Sequence, residues 1–552
     1  MDLILILYSL LIEKNMSELY SSKTVDHLGL VSGLCKDINL VSFIDELLPK
    51  QANNSHISFG QLFLAMILNG LGFTGRTLHM FPQYFKNKPT ERLIGKGIKA
   101  EHINDDSLGR CLDELYNFGV SDLYQNIAEK VIAHLGLECS ALNLDSTSMH
   151  VDGDYKTDGN ETKAINITRG YSRDHRPELN QVILNLITEN QAGIPVYMQA
   201  CSGNTNDSEG FKRIVKSHVN SLKEAYNNRY LIGDAALYSL EIVQSLNEQN
   251  QLFITRVPQK INQAQSILAD IENISFNHIK DGYSGCWFES DYADVDQKWL
   301  LIKSEQAYKR EIISLDRRLK KSSTLAMKAF EKLSKEIFNC KNDAEIAFNT
   351  WQKKHKFISV FNSEIITSVK HLKSGRPKKN SSGDVKYSIS GNIGSSLQAR
   401  EDARQKKGVF ILATNDCSDE LEMQNLLELY KSQQSVERGF RFLKSPDFLT
   451  SSIFLKKPER IESLLMIMTS CLMIYAALEH LIRKSLKEKE LYFTSMKNKP
   501  CQKPTARWVF QCFIGIDELS IENNNKSLIL NLCSEHEVIL NCLGKSSWDF
   551  YS

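Results

Sequence analysis

The sequence lacks paired cysteines, although it contains 12 cysteines in 552 residues. They are scattered, with no Cys-x2-Cys pair and no spacing typical of zinc ligands. This pattern argues against a structural zinc site and against a disulfide framework. It fits a protein that works in a reducing cytoplasm.

The sequence also lacks an excess of charge of either sign. It has 67 Lys and Arg against 66 Asp and Glu, which gives a net charge of +1. The overall charge therefore provides no argument for binding nucleic acid, and any basic surface must be local. Hydrophobic residues make up 42% and charged residues 24%, as in soluble globular proteins. The length allows roughly two to four domains.

Long apolar segments are few. The apolar residues 3–12 are too few to span a bilayer, and no basic segment precedes them as in a signal peptide. The most hydrophobic segment, 464–481, follows Arg460 and Glu462 and is expected to be a buried core helix. We expect no membrane association.

The hydrophobic period changes near residue 140. Residues 25–138 show apolar side chains three and four positions apart, which predicts helices. Strands are predicted at 141–151, 181–188, 194–200, 230–233 and 252–257, with helices at 211–226 and 240–248. Two aspartates, Asp145 and Asp234, lie in or at the end of these strands. His150 and Asp152 close the first strand and are more typical of a polar strand end than of metal ligands.

The segment between 258 and 420 is basic. A hairpin is predicted at 283–290 and 297–304, followed by long polar helices at 305–339 and 342–355. Residues 301–380 contain 19 Lys and Arg against eight Asp and Glu, and 374–383 form a basic loop. This charge predicts either a DNA-binding surface or a merely solubilising one. Trp287 and Trp299 alternate with polar residues, so one of them could stack on a DNA base, although packing in the core or hairpin is the favoured alternative.

Residues 427–444 predict one amphipathic helix. Glu437 lies seven residues after Tyr430, four after Gln433 and seven before Lys444, so all four side chains would share a face. With Arg438 and Arg441 nearby, that face suits a metal and phosphate site. The alternative is a solvated helix with ordinary ion pairs.

This helix resembles the Tyr-x2-Arg-x3-Glu-x6-Lys motif of bacterial DDE insertion-sequence transposases of the insertion-sequence-four superfamily. Gln433 stands where that family usually has Arg. Asp145-Ser146-Thr147 resembles the first-aspartate motif and Asp234 the second. The resemblance extends from about residue 25 to about residue 516.

The resemblance implies an α/β catalytic core that is RNase-H-like, a mixed five-stranded sheet with helices. A large insertion would interrupt this core and an all-α N-terminal domain would precede it. The expected divisions are a leader at 1–24, an N-terminal domain at 25–138 that binds DNA ends, the core at 139–258 and 408–485, the insertion at 259–407 and a C-terminal region at 486–552. Asp145 and Asp234 would then be neighbours.

The implied reaction is metal-dependent cleavage of DNA at the element's ends and joining of the 3′-OH to target DNA. Asp145, Asp234 and Glu437 would be catalytic and would bind two Mg²⁺ (or Mn²⁺) ions, which prefer oxygen ligands. The expected phosphate contacts are Tyr430, Gln433, Lys444, Arg438 and Arg441, with Arg173 and Arg176 from the basic loop at 169–177. Gln433→Arg is expected to preserve or improve end processing.

The expected partners are terminal inverted repeats and target DNA, bound by a homodimer near the bacterial nucleoid. Two other classes stay open at this point. One is an inactive or domesticated copy that only binds DNA, for which Gln433 is the support. The other is a stand-alone RNase-H-like nuclease, for which the insertion and the helical N-terminal domain would be superfluous.

Overall fold

The structure is a computed structural model that describes residues 20–49, 55–73, 77–151, 153, 155, 164–370, 384–445, 455–521 and 526–552. Residues 1–19, Asp152 and the basic loop at 374–383 lie outside this part. The chain divides into two compact units. The first comprises Met1–Thr255, Tyr292–Val295 and Asn425–Ser552, and the second comprises Arg256–Asp291 and Asp296–Gln424.

Helices dominate the start of the first unit, as predicted. They are Leu28–Asp37, Leu40–Leu47, Phe59–Leu71, Phe81–Phe85, Thr90–Leu93, Asp105–Phe118 and Val120–Leu135. Side chains that cap helices fix two of these starts. Ser58 forms a capping box with Gln61, and the Asn104 side chain accepts a hydrogen bond of 3.0 Å from the Ser107 amide.

The C-terminal residues complete this helical region, which the sequence did not predict. Strand β1 (Tyr20–Thr24) pairs antiparallel with Asp517–Ile521, which pairs in turn with Lys526–Leu530. The helices Ser534–Leu543 and Lys545–Trp548 follow. Tyr551 is buried, and its hydroxyl donates to the Asp26 carbonyl at 2.5 Å. These strands lie outside residues 25–138, whose described elements are all helices, as predicted.

Five strands form the sheet of the first unit. They are β2 (Ala141–Val151), β3 (Asn180–Glu189), β4 (Pro195–Ser202), β5 (Tyr230–Gly233) and β6 (Leu252–Arg256), in the order β4-β3-β2-β5-β6. β2, β3 and β4 are antiparallel to their neighbours, whereas β5 runs parallel to β2 and to β6. The helices Asp207–Tyr226 and Leu240–Glu248 connect the later strands. All five predicted strands are confirmed to within one or two residues at each end.

The helix Pro458–Glu488 runs through the core of this unit. It has 31 residues and is long and apolar enough to cross a membrane. However, 78% of its most apolar 18-residue segment is buried inside the protein. Burial of this kind is typical of the central helix of a globular protein. The prediction of a buried core helix is confirmed. Shorter elements follow it: the strands Phe493–Thr494 and Pro500–Cys501, and the helix Ala506–Cys512.

The second unit contains its own strands and helices. Asn277–Lys280, Tyr283–Ser290, Gln297–Ser304 and Val409–Thr414 pair antiparallel in sequence order, and the predicted hairpin has the predicted bounds. The helices are Asn262–Ala269, Glu305–Lys335, Lys341–Lys354 and Leu397–Gln405. A second hairpin, Ile358–Lys370 with Asp384–Ser395, was not predicted. It packs on the two long helices through a cluster that includes Phe330, Trp351 and Ile389.

Candidate active site

Asp145 and Asp234 occupy equivalent positions on neighbouring parallel strands. Leu144 of β2 pairs with Gly233 at the end of β5, so each aspartate is the next residue along. The Asp234 carboxylate accepts a hydrogen bond of 2.9 Å from the Ala236 amide in the turn that follows. The predicted neighbourhood of the two aspartates is therefore present in the fold.

Both carboxyl groups hold their protons unusually tightly. Burial raises the pKa of Asp145 to about 7; the Ser146 amide and the Arg173 guanidinium lower it, while Asp234 and Asp207 raise it further. Burial also raises the pKa of Asp234, and Asp207 adds to that rise. Two close, poorly hydrated carboxyl groups favour either a proton or a bound cation. A perturbed acid pair of this kind is typical of functional sites.

The arginine loop, residues 169–176, reaches into this acid pair. Arg173 Nη1 lies 3.8 Å from Asp145 Oδ1. The guanidinium also donates to Asp207 and to the Ser146 carbonyl, and Nη2 donates to Ser146 Oγ at 2.7 Å. Ser146 Oγ donates in turn to Asp207 Oδ1 at 2.6 Å. These contacts fix Arg173 beside Asp145.

Sequence reasoning missed Asp207 as part of the site. The Asn206 side chain caps the helix that follows it by accepting a hydrogen bond of 2.8 Å from the Glu209 amide. Asp207 is the first residue of that helix. No spacing in the sequence links it to Ser146, because the contact depends on how β4 and its helix lie beside β2.

Asp174, which follows Arg173 in the arginine loop, contacts Lys444 at the end of the glutamate helix, Gln434–Leu443. Asp174 Oδ2 lies 2.8 Å from Lys444 Nζ and 3.4 Å from His150 Nε2. Lys444, predicted to meet a phosphate, is thus paired with a carboxylate in the protein alone. Arg176 is exposed and pairs with Glu178.

The predicted single helix at 427–444 is wrong in one respect, because the structure contains two helices. Met423–Lys431 ends before Gln434–Leu443 begins. Ser432 lies at the break, where its hydroxyl is 2.9 Å from Asn143 Oδ1 on β2 and 2.7 Å from the Leu429 carbonyl. Serine side chains that bond nearby backbone compete with helical bonding. Tyr430, which is half-buried, therefore does not share a continuous helix with Glu437.

The glutamate helix packs on the face of the sheet that carries Asp145. Asn143, which contacts Ser432, is two residues before Asp145 on β2, and alternate residues of a strand share a face. Ser435 Oγ lies 3.4 Å from Thr188 Oγ1 on β3. Glu437 itself is exposed. Within the described ranges, no three His, Cys, Asp or Glu side chains are grouped closely enough to hold a metal ion.

Gln433 departs from its expected place. It is only 9% exposed and directly precedes the glutamate helix, with no capping hydrogen bond from its side chain, so it does not lie on a solvent face toward DNA. Arg438 and Arg441 are exposed. Gly439 lets this helix approach the core helix closely, since a Cβ there would come within 2.9 Å of Leu472.

The two tryptophans differ in position. Trp299 is completely buried, so it packs inside the protein, the favoured alternative, and cannot stack on a base. Trp287 is half-buried in the same hairpin.

Comparisons with known proteins place the chain in a family. The family model described as "Transposase DDE domain" matches residues 140–474, and a "Domain of unknown function (DUF4277)" matches residues 20–129. A search of curated proteins gave no match. Among solved structures, a cryo-EM piggyBac transposase synaptic complex with hairpin DNA has 10% identity and a TM-score of 0.37, covering 88% of this chain and 79% of that one. A likeness that low supports no argument. Because the first model spans more than half of the 552 residues, the chain belongs to the DDE transposase domain family.

Proposed function

We propose that this protein is the transposase of an insertion sequence that moves by cleaving DNA at the element's ends and joining the 3′-OH to target DNA. The observation that carries the proposal is the register of Asp145 and Asp234 on adjacent parallel strands. The glutamate helix, docked on the same face of β2, would bring Glu437 as the third carboxylate.

The sheet order supports an RNase-H-like core. Three antiparallel strands, then two parallel strands joined through helices, give the order β4-β3-β2-β5-β6. This is the third-second-first-fourth-fifth order expected of that fold. The first and fourth strands are adjacent, which is where the family's two aspartates are expected.

The donor set fits Mg²⁺ or Mn²⁺. Asp145 and Asp234 offer only oxygen ligands, and neither Cys nor His is among the charged groups that shift their pKa values. These two residues and Glu437 would hold two ions. Such ions, when bound, neutralise charge on the phosphate and help to generate the nucleophile.

The basic side chains around the carboxylates would position the DNA strand. Arg173 is fixed beside Asp145 and can donate to a phosphate oxygen. Arg438 and Arg441 are exposed on the glutamate helix, and Lys444 becomes available once DNA displaces Asp174. Tyr430 and Arg176 would supply weaker contacts. Gln433 would act through the helix start rather than on the phosphate.

The N-terminal region would hold the element's inverted repeats. Lys86, Lys96 and Lys99 are exposed around a cavity of about 1010 Å³ that the C-terminal segment helps to line. Cations grouped at a concave surface attract the DNA backbone. The basic helices of the second unit would bind flanking or target DNA. A homodimer on paired ends, acting in the cytoplasm at the nucleoid, would complete the assembly.

A strand-transfer assay tests the proposal. The full chain, Mg²⁺ and a duplex taken from the DNA flanking its own coding sequence should give cleaved ends joined to a target plasmid. Asp145→Asn, Asp234→Asn and Glu437→Gln should each abolish cleavage and leave end binding nearly unchanged. Glu488→Gln, at an exposed glutamate at the end of the core helix, is the matched control and should be active.

The same assay separates the alternatives. A domesticated protein that only binds DNA would bind the ends without cleaving them. The burial of Gln433, where the family has Arg, is what favours it. A stand-alone nuclease would cut DNA without end preference and without joining.

A further inference from the structure

Tyr171, in the arginine loop, is an aromatic side chain held in solvent. It is 85% exposed, the highest value among the large hydrophobic side chains of the described residues. Single exposed apolar residues are common on protein surfaces. Tyr171 differs from such residues because hydrogen bonds hold the backbone on both sides of it. These bonds hold it next to the proposed catalytic carboxylates.

The backbone before Tyr171 has no room to move. A Cβ at Gly170 would lie 2.0 Å from the Gly203 carbonyl oxygen, so the chain touches the loop after β4 directly. Gln181, fully buried, donates through Nε2 to the carbonyls of Tyr171 at 3.1 Å and Gly203 at 2.7 Å.

The backbone after Tyr171 is fixed as well. Ser172 is buried, and its hydroxyl accepts from the Arg176 amide at 3.0 Å. Arg173 is held by Asp207 and Ser146. The ring of Tyr171 is therefore presented by a rigid loop, so contact with a ligand would cost little conformational entropy.

We infer that Tyr171 is a base-stacking site for the DNA end, an inference that rests on the proposed function. The exposed Arg169 and the fixed Arg173 lie two residues before and two residues after Tyr171 in the chain, which suits a ligand with both phosphates and aromatic faces. Tyr171 and Arg173 are two residues apart, so their Cα atoms are at most about 7 Å from each other. The stacked base is therefore expected among the terminal nucleotides, close to the phosphate at Asp145.

The experiment uses the full chain and the pre-cleaved terminal duplex of its own element, with 2-aminopurine at each of the first five positions in turn. Without Mg²⁺, the parent protein should change the fluorescence at one of these five positions. Tyr171→Ala should remove that change and weaken binding by about tenfold, within the range for loss of one stacked base. Tyr171→Phe and Tyr171→Trp should retain both, and Tyr171→Leu should not.

Tyr492→Ala is the matched control, because Tyr492 is 58% exposed in the same unit and lies outside the arginine loop. It should bind as the parent does. If Tyr171→Ala binds and changes the fluorescence as the parent does while the parent cleaves its ends, this inference is overturned and the transposase function stands. If the parent neither binds nor cleaves its ends, both fail together.

Discussion

Replacing Asp145 with asparagine should stabilise the metal-free protein at neutral and alkaline pH while abolishing cleavage. The ordinary pKa of 3.8 rises to about 7 in the folded protein, mainly because of burial. The folded state thus binds the proton more tightly than the unfolded state. Stability is therefore lost as pH rises from about 3.8 and levels off above about 7. A neutral amide at this position does not ionise and avoids the loss.

The magnitude follows from the size of the pKa shift. One unit corresponds to about 1.4 kcal/mol. Between pH 5 and pH 7, ionisation of Asp145 should cost the parent protein about 2.3 kcal/mol, since the folded carboxyl is half ionised at the upper end of this interval. The side chain is 14% exposed, so solvent screens this cost only in part.

Urea denaturation in a chelating buffer at pH 5, 6, 7 and 8 measures the effect. The free energy of unfolding of Asp145→Asn minus that of the parent should increase by about 2–3 kcal/mol from pH 5 to pH 8. At pH 8, Mg²⁺ at about 100 times its Kd should return about 2.7 kcal/mol to the parent and much less to the variant. A difference that stays constant with pH, or equal stabilisation of both proteins by Mg²⁺, would refute the buried acid pair as the metal site.

Three further outcomes follow from the site. Gln433→Arg should lower the free energy of unfolding by about 1–3 kcal/mol, because the guanidinium replaces a buried amide; urea denaturation checks this, and improved end cleavage with unchanged stability would contradict it. Lys444→Ala should weaken binding of a pre-cleaved end about tenfold, or ~1.4 kcal/mol. Asp174→Asn should strengthen that binding, because it frees Lys444. If both variants changed the affinity equally in a binding titration, Asp174 and the DNA phosphate would not compete for Lys444. Gly170→Ala should displace the arginine loop, because its Cβ would overlap Gly203, and should cost about 1–3 kcal/mol of stability together with most of the cleavage rate; a fully active, fully stable variant would show that the loop position does not matter.

Local patterns in the sequence were enough for the elements around the site. The short, bounded apolar segments in 141–151 and 181–188 predict strands, and both are present because a strand buried on both faces carries such a run. Asn104 and Asn206 mark helix starts because their side chains accept from the free amides of the first turn. These effects act within a few residues and need no tertiary partner.

The tertiary structure decided the features that depend on partners far apart in the chain. The helix at 427–444 is interrupted because Ser432 bonds Asn143, 289 residues away, and Gln433 is buried as a result of that docking. Residues 526–552, uninformative as a sequence, complete the N-terminal region through pairing and through the buried Tyr551.

The sequence by itself determined which residues could supply the carboxylates of the proposed site, because Asp145, Asp234 and Glu437 can be identified from their motifs and their predicted elements. Only the fold decided which side chains surround them. Arg173 of the arginine loop lies beside Asp145 and bonds Asp207, and Asp174 forms an ion pair with Lys444. Contacts of this kind depend on packing geometry between separate elements, for which local hydrophobic periodicity has no information.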